Sequence, residues 1–141
     1  MDVLQPLRDV AREVFADTPV LFAYLFGSQA TGRTHPRSDV DVAVYLDEAV
    51  PPDQRLDLSL RLAGTLERAC RVGPVEALLV LNDARIALAG RVLAERQVLF
   101  VRDEPARVRY ESLTFRQFHD FEQHARPLRQ QRLAAIARGD A

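Results

Sequence analysis

The chain has 141 residues, enough for one domain with a proper core, and its 48% hydrophobic and 28% charged residues are ordinary globular composition. A formal net charge of -1 gives no overall basic field to attract nucleic acid, and a lone Cys70 excludes a disulfide frame or a thiolate metal cluster. The opening MDVLQPLRDV carries no signal-peptide pattern and no apolar run reaches membrane length, so the expectation is a soluble cytoplasmic domain.

Leu4, Leu7, Ala11, Val14 and Phe15 recur at helical spacing, and Asp17-Thr18-Pro19 is expected to stop that helix. Val20 to Phe26 is an apolar, aromatic-rich run of strand length. Gly27 to Arg37 reads as a turn with a helical turn inside it. Asp39 to Leu46 then alternates as a strand does, with Val40, Val42 and Val44 on one side and Asp39, Asp41 and Ala43 on the other.

A surface link, EAVPPDQ, leads into a helix from about Asp53 to Arg71, whose expected apolar face is Leu56, Leu60, Ala63 and Leu66. Arg71-Val72-Gly73-Pro74 ends it. Val75 to Leu81 reads as a third strand. Asn82 or Asp83 is placed to cap a short helix running to Leu93. Val98 to Val101 makes a fourth, outer strand. From Glu104 onward the pattern is one long helix in which Phe115, Phe118, Glu122 and Ala125 share a face and Pro127 should kink or break the run. The plan is α+β, a small mixed sheet flanked by helices, with residues 1–103 as the core and 104–141 as a C-terminal helical extension of the same domain.

Two residues apart on a strand, Asp39 and Asp41 project from one face with their carboxylates close. Like charges so placed repel, and each loses hydration on burial. A divalent cation relieves both problems, and oxygen-only ligands favour Mg²⁺, with Mn²⁺ as the alternative, over zinc. Taken alone, such a pair is more often a solvated strand end. Gly27-Ser28 changes that balance. A Gly directly after a strand permits a sharp turn and lets a phosphate approach without a Cβ in the way, and the amides that follow can face phosphate oxygens. Together the residues read G-S-x₁₀-D-x-D between two strand-like runs, a chance match on the order of 1 in 10³ for a chain this long.

The stretch LFGSQATGRTHPRSDVDVAVYL resembles the signature of the DNA-polymerase-β-like nucleotidyltransferase superfamily. The short chain is similar to its minimal nucleotidyltransferase (MNT) branch, which includes antitoxins paired with HEPN-type ribonuclease toxins. The resemblance implies a polymerase-β-like palm fold in which Gly27 and Ser28 contact the triphosphate of ATP and Arg33 or Arg37 supplies positive charge, since Thr31 stands where many relatives have Arg. It implies that Asp39 and Asp41 hold two Mg²⁺ ions, with a third carboxylate from the next strand. Relatives place Asp there; this chain has Glu76, one methylene longer.

It further implies an AMP transfer from ATP to a tyrosine of a HEPN toxin, with no direct nucleic acid or membrane partner and a hetero-oligomer with the toxin. Only about 37 residues follow Glu104, too few to enclose a small acceptor, which favours an acceptor carried on another macromolecule. Two alternatives stay open: a binding antitoxin without catalysis, which Glu76 favours, and a free-standing nucleotidyltransferase for a small molecule or RNA. The chain is not the toxin itself, because no His lies five to seven positions after an Arg. His119 and His124 do not share a helix face, His35 reads as a solvated loop residue, and Arg126, Arg129 and Arg132 form a stripe usual for a solvated helix face.

Overall fold

The computed structural model describes residues 4–32, 39–71, 73–75 and 77–139. The elements run α1 (Leu4–Val14), β1 (Val20–Phe26), α2 (Ser28–Thr31), β2 (Asp41–Leu46), α3 (Pro52–Cys70), β3 (Leu79–Val80), a 3₁₀ turn (Leu81–Asp83), α4 (Ile86–Glu95), β4 (Gln97–Val101) and α5 (Glu104–Ala137). The four strands form one sheet in the order β3-β2-β1-β4. β1 is antiparallel to both β2 and β4, while β3 is parallel to β2. The sheet is therefore mixed, as expected.

The alternation in β1 and β2 decides what covers each face. Ala23, Leu25, Val42, Val44 and Leu46 face one side and pack with Leu7, Ala11 and Phe15 and with Leu62, Ala63 and Leu66 of α3. Phe22, Tyr24 and Ala43 face the other and pack with Val92 and Leu93 of α4 and Ala106 of α5. β1 is covered on both faces, which is why it reads as an unbroken apolar run. The register pairs Phe26 with Asp41, so the end of β1 stands beside the start of β2.

Helix ends follow local chemistry. Pro52 sits in the first turn of α3, where its missing N–H costs nothing, and Arg71 closes the helix in the left-handed region at φ 56°. Asp103 caps α5 by accepting from the Ala106 N–H at 3.0 Å. The Arg102 guanidinium donates to the carbonyls of Val20 (3.0 Å) and Ala16 (2.7 Å), which ties the entry of α5 to the end of α1.

Four expectations are corrected. The third strand is not Val75 to Leu81 but only Leu79–Val80, an edge strand that turns at once into the 3₁₀ segment. Asn82 does not cap α4, whose N-cap is Arg85 without a side-chain hydrogen bond. Instead Asn82 accepts from the Leu46 N–H and donates to the Leu46 carbonyl, both at 2.8 Å, sealing the end of β2. On α3 the core face is Ser59, Leu62, Ala63 and Leu66, while Leu56 and Leu60 are 68% and 48% exposed. Finally, α5 continues through Pro127. Proline there removes one intrahelical hydrogen bond, and the position is exposed, so water can reach the carbonyl it leaves open.

Gly90 on α4 sets how closely α5 approaches. A Cβ there would overlap the Phe118 ring, coming 2.6 Å from Cε2. Phe115 is half exposed, with the Arg96 guanidinium 5.3 Å from its ring centroid.

Candidate active site

Gly27 follows β1 with φ +75°, and its carbonyl accepts from the N–H groups of Ala30 and Thr31, both at 3.1 Å, which starts α2. A Cβ at Gly27 would collide with a carboxylate oxygen of Asp41 and lie 3.2 Å from its Cγ. The β1–α2 turn and the first carboxylate of β2 thus touch, and only glycine allows it. Val40 and Val42 are both buried in the core on the α1–α3 side. Alternation along β2 turns Asp41, half-buried, to the opposite side from Val42, and Asp39, which precedes β2, is exposed.

The Val40 N–H donates to the Pro74 carbonyl at 2.9 Å. That bond lays Pro74 beside Val40, although regular β3 pairing starts only at Ala43 with Leu79. Asp41 lines an open cleft of about 350 Å³ with Phe26, Ala77, Leu79 and Leu88 among its walls. Leu88 and the Ala77–Leu79 run were not singled out in the sequence. No motif marks them, because they meet Asp41 only through the sheet order.

Of the site residues expected from sequence, Gly27 and Asp41 are brought together, and Asp39 is exposed two residues before Asp41. Arg33, Arg37, His35 and Glu76 lie outside the described residues, as does the side chain of Ser28. Among the described residues no group of three His, Cys, Asp or Glu side chains is placed to hold a metal ion. The two described donors nevertheless have the chemistry for a hard cation: both are carboxylates, Asp41 at the start of β2 and Asp39 two residues before it, and Gly27 leaves room at Asp41 where any side chain would intrude.

The scaffold behind this site is held by a polar cluster. Tyr24, fully buried in β1, donates to Glu111 of α5 at 2.6 Å. Glu111 also accepts from Arg107 at 2.7 Å and Arg96 at 3.2 Å. Burial first, and then the bond to Glu111, push the Tyr24 phenol well above its ordinary pKa. At the far end of β2, Arg55 is buried and donates to Asp83 (2.7 Å), to the Val50 carbonyl (3.2 Å) and to Glu48 (3.4 Å). Burial and a hydrogen bond to Glu48 push Tyr45 up to about 12. No helix among the described residues is long and apolar enough to cross a membrane.

Comparison with known proteins agrees with this geometry. Residues 10–105 match the family model described as polymerase beta, nucleotidyltransferase. Among curated proteins no significant match was found. The fold is similar to a toxin–antitoxin crystal structure with AMP-PNP, at TM-score 0.66 and 21% identity over 92% of this chain and 98% of that one. It is similar to a MntA–HepT toxin–antitoxin mutant in which two aspartates are changed to glutamate, at TM-score 0.67 and 20% identity over 92% and 98%. A third likeness is to the tri-AMPylated Shewanella oneidensis HEPN toxin in complex with MNT antitoxin, at TM-score 0.63 and 19% identity over 95% and 98%. These likenesses establish the fold, and the family match over most of the length establishes the lineage: this chain belongs to the polymerase beta nucleotidyltransferase family.

Proposed function

We propose that the chain is an antitoxin-type nucleotidyltransferase that moves AMP from ATP to a tyrosine hydroxyl of a HEPN-type toxin. The observation that carries this reading is the contact between Gly27 and the Asp41 carboxylate. A glycine turn set against one acid of the pair suits a reaction in which the turn binds phosphate and the acid binds a metal ion. Support comes from the solved structures of similar fold, one with AMP-PNP and one holding a tri-AMPylated HEPN toxin.

In this mechanism Gly27, Ser28 and the first amides of α2 hold the triphosphate, with Arg33 and Arg37 as further cations near it. Positioning the α-phosphorus in line with the attacking oxygen supplies several kcal/mol, roughly the value of a well-oriented intramolecular reaction. Asp39, Asp41 and Glu76 would hold two Mg²⁺ ions, which when bound offset charge on the triphosphate and the leaving group. The tyrosine oxygen attacks the α-phosphorus and the bond to the bridging oxygen of pyrophosphate breaks. The tyrosine proton passes to a carboxylate, the role this reading gives to Glu76.

The test is to incubate the chain with ATP, Mg²⁺ and a co-expressed HEPN-type toxin and weigh the toxin intact. Addition of AMP units is the expected result. A stable complex with an unchanged toxin mass would instead identify an antitoxin that acts by binding alone, the reading that Glu76 in place of Asp favours.

A further inference from the structure

We propose that the protein acceptor reaches Asp41 as an extended segment laid along the free edge of β3, between α3 and α4. This deepens the preceding reading and rests on it. β3 is the outermost strand, paired only with β2, so its outer N–H and C=O groups meet no strand among the described residues. Such an edge is a template for one more strand. Beside it runs a groove of about 500 Å³ whose walls include Leu56, Ser59, Leu79, Val80, Arg85 and Leu88.

Three features choose the occupant. The first is continuity: this groove shares Ala77, Leu78, Leu79 and Leu88 with the cleft that Asp41 lines, so a chain lying in it is led to the carboxylate. The second is its apolar rim. Leu56 is 68% and Leu88 37% exposed, and Leu60 follows one turn after Leu56. Exposed leucines flanking an open strand edge suit the alternating side chains of an extended polypeptide. A nucleic acid strand would need several phosphate-binding cations. The third is charge. Arg85 is exposed at the rim and in no ion pair among the described residues, so the segment carries an acidic side chain there. A second copy of this chain seated on β3 would cover the cleft beside Asp41 and exclude the acceptor.

The experiment uses the full chain and the co-expressed HEPN-type toxin, with Leu56→Glu as the probe of the groove and Leu56→Met as the conservative control. Leu56→Glu should raise the KM for toxin at least tenfold, with kcat and the Kd for ATP unchanged, and Leu56→Met should behave as wild type. In a complex of toxin with the unreactive Asp41→Asn chain, amide hydrogen exchange over residues 77–80 should slow. An unchanged KM overturns the proposal. So does a KM effect with unprotected β3 amides, because the partner then docks without adding a strand. A free chain that sediments as a dimer and is split by Leu56→Glu overturns it too, the groove being a self-contact. If wild type leaves no AMP adduct while the β3 amides are protected in the complex, the docking stands and the transfer reading falls.

Discussion

Asp41 is the first residue of β2, opposite Phe26, and its carboxylate fills the space where a Gly27 side chain would be. Changing Asp39 or Asp41 to Asn keeps size and removes charge. With Asp39 exposed and Asp41 at a strand end, the fold should survive, with an unfolding free energy from urea titration within about 0.5 kcal/mol of wild type for Asp39→Asn. AMP transfer should fall by more than ~10²-fold for either variant, as expected when electrostatic stabilisation of the reacting charge is lost. Full activity in the double variant, read by intact mass, would remove the acidic pair from the mechanism. Gly27→Ala tests the turn. At φ +75° an L-residue costs roughly 1–2 kcal/mol, and its methyl must also displace the Asp41 carboxylate. Both urea stability and transfer should drop, and a variant that lost stability alone would show that Asp41 tolerates the shift.

At the level of elements, the attachment of α5 to the sheet is the interaction most open to titration. Tyr24 of β1 hydrogen-bonds Glu111, and Tyr110 packs on Phe22 and Tyr45, while Phe118 lies against the bare Gly90 of α4. Burial raises the pKa of Tyr24 above its ordinary value of 10, as it does for Tyr110, and Tyr45 rises to about 12. A phenol whose pKa is higher folded than unfolded lends stability that is complete below pH 10 and is lost as pH climbs through the folded value. The urea midpoint should therefore hold level from pH 8 to about 9.5 and decline by about pH 11. Tyr24→Phe should flatten that decline while lowering the unfolding free energy near neutrality by about 1 kcal/mol, the net worth of one hydrogen bond. An alkaline slope untouched by Tyr24→Phe would move its origin away from the α5 contact.

Across the whole molecule, what could be read from sequence divides by the range of the interactions involved. β1, the alternation of β2 and the meeting of Gly27 with Asp41 follow from residues within 26 positions, where period and turn chemistry suffice. The rotation of α3 was not readable, because leucines sit around much of its circumference and only the sheet decides that Leu62 and Leu66 go in while Leu56 and Leu60 stay out. The groove beside β3 was hidden for the same reason, being assembled from three separate segments. Pro127 does not break α5, because at an exposed position it costs a single intrahelical hydrogen bond whose carbonyl water can reach. α4 has 10 residues and α5 has 34, so at 1.5 Å per residue α5 extends some ~35 Å farther than its partner. The overhang leaves Leu128, Leu133 and Ile136 at 66%, 65% and 53% exposure, and the ion pair of Arg129 with Glu122 is surface-exposed and worth little. Deleting residues 127–141 should thus leave the unfolding free energy from urea titration within about 0.5 kcal/mol of the full chain while the helical circular dichroism falls with the residues removed. A loss above roughly 2 kcal/mol would mean that the end of α5 contributes to the fold, as a core element does.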